Sequence, residues 1–205
     1  AFGAYDAAHV HVTRALPSGG PQGVEGARVA LLGANLTNYG RLTVRFGAKG
    51  DVPASLPDAG VAELVCAAPY DPPAVGAPTS VELSVSLDGQ TFVTPSPPLV
   101  YTLYTALVER SYPAGAPLQA ATVTLVGLGF VDLGDVATCA YARADGRGDL
   151  LGAGVVVSAS EVVCATPTGA TPGAYTVSLS LNSGVDFVPA QFDPPALTLY
   201  DAASE

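Results

Sequence analysis

The second half of the sequence lies on the first, segment for segment and in the same order. "ARVALLGANL" (27–36) falls on "ATVTLVGLGF" (121–130), so that Val29, Leu31, Gly33 and Leu36 meet Val123, Leu125, Gly127 and Phe130. "ELVCAAP" (63–69) falls on "EVVCATP" (161–167), which sets Cys66 on Cys164 and Pro69 on Pro167. "SVELSVSLDG" (80–89) falls on "AYTVSLSLNSG" (174–184), and each half closes on a Pro-Pro pair, apolar residues and a tyrosine, aligned as Tyr101 and Tyr200. The "YDAA" that begins at Tyr200 also begins at Tyr5. A collinear duplication restricts a 205-residue chain to two copies of one small domain. The expected copies are residues 5–101 and 102–200, with 1–4 the tail of a preceding repeat and 201–205 the start of a following segment. The chain thus reads as a piece of a longer array in which each unit touches mainly its neighbours. No Gly or Pro interrupts "YTLYTA" (101–106), so the joint is expected to be short and stiff.

Each copy has the period of β structure. In "VELSVSLD", Val81, Leu83, Val85 and Leu87 alternate with Glu82, Ser84, Ser86 and Asp88. A period of two sends the first set to a buried face and the second to water. "YTVSLSLN" repeats this, with Tyr175, Val177, Leu179 and Leu181 inward and Ser178 and Ser180 outward. With 23 Gly and 18 Pro, every candidate helix is interrupted. Short strands between turn clusters indicate an all-β chain of two tandem immunoglobulin-like sandwiches. The Cys-Trp-Cys spacing of antibody domains is missing, since the chain has no Trp.

Charge excludes some functions. The net charge is −10, and the eight Lys and Arg are scattered. Phosphate backbones need clustered cations, so nucleic acid is not an expected partner. No apolar run is long enough for a membrane-spanning helix, so no membrane insertion is expected within this segment. His9 and His11, two apart on an expected strand, share a face but fall short of the ligand set of a zinc site. No Ser sits in a nucleophile elbow, no Gly-rich strand-to-helix turn cradles a nucleotide, and Asp145 and Asp149 lack the alternating carboxylates of a calcium loop. The reading is therefore of a non-enzyme with no catalytic residues, metal or cofactor.

The order "GARVALLGANL", "LTVRFG", "VCAAP", "VELSVSLDGQTF" and a closing Tyr resembles an IPT/TIG domain, an immunoglobulin-like unit of plexins, related receptors and other surface proteins. "VTLVGLGF", "VVCATP" and "GAYTVSLSLNSGVDF" repeat the likeness, which covers nearly the whole chain twice. The second copy departs from it at "TCAYAR", where the Phe-Gly of "VRFG" is lost. The resemblance implies a disulfide between Cys139 and Cys164, since this family often pairs cysteines in this part of the domain. Alternation places Cys139 on the face of Tyr141 and Cys164 on that of Val162, both inward. Val44 stands where the first copy would need a partner, which leaves Cys66 as a buried thiol or as the site of a bond to another chain. Asn35-Leu36-Thr37 is an N-glycosylation sequon at a turn where the family often carries Asn for the turn itself. Arg147-Gly148-Asp149, in the expected loop 144–152, resembles the integrin-binding tripeptide, although Gly and Asp also have ordinary turn roles.

Together these readings describe a structural and adhesive module on an extracellular or cell-surface protein, a spacer that binds other proteins, including neighbouring repeats. The rivals are an intracellular scaffold of filamin-like repeats, cytoskeletal or ciliary, and an accessory domain of a carbohydrate-active protein. A reduced Cys139 with an unmodified Asn35 favours the first rival. Exposed aromatics for sugar stacking favour the second.

Overall fold

The computed structural model describes residues 7–24, 26–57, 62–74, 77–118, 121–146, 148–188 and 196–202. Tyr5, Arg147, residues 1–4 and residues 203–205 lie outside these. The chain divides into two compact units whose main boundary falls at the end of β9, between Leu103 and Tyr104. The helical residues described form two three-residue 3-10 turns, Ala7–His9 and Gly47–Lys49. Everything else that is regular is β.

The first unit contains β1 (His11–Leu16), β2 (Gly19–Pro21), β3 (Arg28–Ala34), β4 (Thr43–Phe46), β5 (Asp51–Ser55), β6 (Glu63–Ala67), β7 (Thr79–Ser86), β8 (Phe92–Val93) and β9 (Val100–Tyr104). The second contains β10 (Leu107–Tyr112), β11 (Gly115–Pro117), β12 (Thr122–Leu128), β13 (Ala137–Arg143), β14 (Asp149–Ser158), β15 (Glu161–Ala165), β16 (Gly173–Ser180) and β17 (Ala196–Tyr200). The hydrogen-bonded path is β1-β3-β6-β5-β4-β7-β9-β2 in the first and β10-β12-β15-β14-β13-β16-β17-β11 in the second, the same circuit traced twice. In each, one strand, β5 or β14, pairs on both sides and carries the path from one layer to the other. In a flat sheet β13 and β15 would lie about 9.6 Å apart, two strand spacings. Yet the Cα atoms of Cys139 on β13 and Cys164 on β15 are 6.0 Å apart, so the path folds over at β14 and the layers face each other. These are two tandem immunoglobulin-like β-sandwiches.

Alternation fills each core. Val29, Leu31, Val44, Phe46, Leu64, Leu83 and Val85 are sealed in the first unit, and Val123, Leu125, Tyr141, Val162, Val177 and Leu179 in the second. Phe46 meets Tyr101 edge to face, with centroids 5.3 Å apart. Where the first strand of each unit bulges, at Val12/Arg14 and Val108/Arg110, the opposing residue is Gly33 or Gly127. A Cβ at either would run into the backbone carbonyl of His11 or Leu107. Close backbone approach, not flexibility, explains this repeated glycine.

The structure corrects four expectations. Ser86 and Ser180 are fully buried, not outward-facing, whereas Ser84 and Ser178 are half-buried. The returning chain covers both buried serines, through Ser86 opposite Phe92 and the bridge from Leu179 to Val188. Their hydroxyls tolerate burial because the turns satisfy them. Ser86 donates to Asp88 at 3.0 Å and accepts from the Gly89 N–H, and Ser180 donates to Asn182 at 2.9 Å and accepts from the Gly184 N–H. Register also shifts the repeat. Val81 pairs with Tyr101 and Tyr175 with Leu197, so the residue equivalent to Tyr200 is Tyr104. His9 belongs to a 3-10 turn and His11 opens β1, so the two do not share a strand face. Finally, the turn between β13 and β14 is shorter than 144–152, because Asp149 already pairs with Ala142.

Candidate functional site

Cys139 and Cys164 are joined, and both are wholly buried. The bond ties β13 to β15 across the sandwich, with β14 between them in the path. Beside it Tyr141, also sealed, donates from its hydroxyl to the Ala165 carbonyl at 2.9 Å. Burial pushes the Tyr141 pKa upward, so the phenol stays a donor. The first unit places Val44 opposite Val85, as the second places Cys139 opposite Leu179, and Phe46 stands for Tyr141. Cys66 is a free, buried thiol whose pKa burial pushes up to about 12. A thiol kept protonated and covered is a packing residue and a poor nucleophile.

Asn35 is exposed and adopts a left-handed conformation, with φ 58. Gly129, at the corresponding turn, has φ 70. Asn is among the few side chains that accept this geometry, and Asn35 Nδ2 further donates to the His9 carbonyl at 2.7 Å. Thr37 is exposed as well, while Leu36 packs on the core. Gly148 is exposed with φ 90, and Asp149 is the exposed first residue of β14. Arg143 anchors this turn through Asp145 at 2.8 Å and a hydrogen bond to Thr171.

A polar clamp holds the loops at one end of the first unit. Asp71, almost fully buried, accepts from Lys49 Nζ at 2.6 Å and from Gln22 Nε2 at 2.7 Å. The Lys49 hydrogen bond is the main reason its carboxyl is held below the usual range. Gln22 in turn accepts from the Ala74 N–H, and Gly23 N–H donates to the Asp71 carbonyl. Among the described residues no group of three or more His, Cys, Asp or Glu is placed to hold a metal ion. No helix among them is long and apolar enough to cross a membrane.

One feature was missed in the sequence. The outward positions of β14 are Leu151, Ala153, Val155 and Val157, all exposed. Of these, Val157 borders, with Tyr112 and Val163, a shallow groove of about 380 Å³ whose lining also includes Arg110, Thr124, Val126 and Glu161. Its signal was "LLGAGVVV", a run apolar at both parities, where a strand with one wet face should alternate.

No protein-family model matches the chain, and no curated protein sequence matches it. Among solved structures it is similar to the full extracellular region of plexin A4, with 16% identity, a TM-score of 0.57 and 94% of this chain covered. It spans only 16% of the length of that plexin chain. A match also exists to SGBP-B of a Bacteroides ovatus mixed-linkage glucan utilization locus, 15% identical with a TM-score of 0.34, covering 93% of this chain and 46% of that one. At such identity the plexin likeness speaks to the fold: a tandem array of immunoglobulin-like units.

Proposed function

We propose that the chain is a non-enzymatic structural and adhesive module, a stretch of IPT/TIG-like repeats from a longer extracellular or cell-surface protein. It acts as a spacer and as a surface for other proteins, neighbouring repeats of its own chain included. The observation that carries this reading is that each repeat closes its own core on the same strand circuit, the second with a disulfide sealed inside. Self-contained units stack without needing a common core. Buried disulfides belong to oxidising compartments. The likeness to an extracellular plexin region supports the fold on which the reading rests. In that setting the exposed Asn35 carries an N-glycan, seen as a mass loss on enzymatic deglycosylation. The test of location is staining with an antibody against this chain on intact and permeabilised source cells. Signal on intact cells is expected. Signal confined to permeabilised cells would refute the reading and favour the intracellular scaffold.

A further inference from the structure

The two repeats differ on one face: the outer side of β10, β12, β15 and β14. Register allows the copies to be compared position by position. Across the first unit Arg14 pairs with Leu32 and Leu32 with Glu63; across the second Arg110 pairs with Val126 and Val126 with Glu161. The same row, cation–aliphatic–anion, is present twice. In the first unit Arg28 closes it, with Nη2 at 2.8 Å from Glu63 Oε1. Thr122 stands in place of Arg28, and among the described residues neither Arg110 nor Glu161 forms an ion pair.

The next row reads Tyr112, Thr124, Val163, Val155 where the first unit has Leu16, Ala30, Val65, Ser55. Tyr112, Val155 and Val157 remain 66%, 64% and 59% exposed. In this row an exposed Tyr112 stands for the half-buried Leu16 and an exposed Val155 for Ser55, so the second unit leaves more apolar surface open here. Apolar surface gathered on one sheet face and rimmed by charge marks an interface.

We propose that this face pairs with the same face of a second copy of the chain, about a two-fold axis running along β12. Such a rotation sets β10 of each copy over β15 of the other. Arg110 then meets Glu161 of the other copy, twice. Val126 meets its own equivalent, and each Tyr112 ring lies on Val163 and Val155 opposite. An axis across the strands would instead stack Arg110 on Arg110 and Glu161 on Glu161, which like-charge repulsion disfavours. A partner of one charge sign would leave either Arg110 or Glu161 facing its like. The face is therefore complementary to itself, as an isologous interface requires, and aligned sheet-on-sheet packing supplies the geometry.

This pairing deepens the protein-contact part of the reading above, and it fails separately, because surface staining does not depend on it. Sedimentation of the whole 205-residue chain from about 1 µM to about 0.5 mM should show a reversible monomer–dimer equilibrium that weakens in salt. R110E and E161R alone should each weaken association by about tenfold or more, and the double reversal R110E/E161R should return it to within about threefold of the parent. V155D should weaken it as far as the single reversals do. All three positions are exposed, so circular dichroism and thermal midpoints should match the parent. A chain that stays monomeric across the range, a dimer indifferent to the reversals, or a double variant no better than the singles overturns the proposal.

Discussion

Cys139→Val is the substitution that the molecule has already made in its other half. Val44 occupies the matching position, fully buried, and Cys66, the counterpart of Cys164, remains a free thiol. The change therefore removes a crosslink while keeping a side chain of similar size and polarity. Its magnitude follows from the loop. The bonded residues are 25 apart, and closing such a loop removes about 12 cal/mol/K from the unfolded chain, or about 3.5 kcal/mol at 25 °C. On a unit of about 100 residues this lowers the melting temperature by roughly 15–25 °C. Calorimetry on the whole chain, with hydrogen exchange to assign the transition, measures it. Amides of β13, β15 and β16 should lose protection, while those of β4, β6 and β7 keep theirs. Reducing the parent protein should reproduce the effect. An unchanged melting point for the Cys139→Val variant, or equal loss of protection in both units, refutes the view that the crosslink and the cores act unit by unit.

Leu179→Ala truncates a fully buried side chain and should cost about 2–5 kcal/mol, read from the urea midpoint of the second unit. Gly127→Ala drives a Cβ into the Leu107 carbonyl at the bulge, so it should destabilise by about 2–3 kcal/mol, and Gly33→Ala should do the same to the first unit. Asp71, held below the usual carboxylate range chiefly by Lys49, contributes stability that is full above that range and is lost as pH falls through the depressed value. Acid titration of the first unit should accordingly show a loss of stability starting near about pH 4, and Asp71→Asn should flatten it.

Strand alternation made the two sandwiches legible, because Val, Leu and Tyr at every second position leave few other folds for so much Gly and Pro. The hairpin returns were not. Ser86 and Ser180 read as wet by parity alone, and only the strand or bridge folded back over each reveals a buried, satisfied hydroxyl. Sequence alone aligns Tyr101 with Tyr200 because "YTLY" holds two tyrosines three residues apart, and cross-strand register is invisible in an alignment of apolar runs. The Cys139–Cys164 pairing came from family likeness; alternation gave only that both residues point inward. Self-complementarity on the outer face was out of reach for a further reason. Arg110, Val126 and Glu161 are far apart in sequence and meet only through the pairing of β10, β12 and β15.

Two self-contained sandwiches, one of them bridged within itself, make up the described chain, and the proposed extracellular setting is an oxidising one. Alkylation of the denatured, unreduced protein from its native source, followed by peptide mapping, tests this directly. One equivalent of free thiol, at Cys66, with Cys139 and Cys164 recovered as a linked peptide, is the expected result. Three free thiols would contradict the oxidising setting, and a bond from Cys66 to Cys139 or Cys164 would contradict the two-unit fold itself.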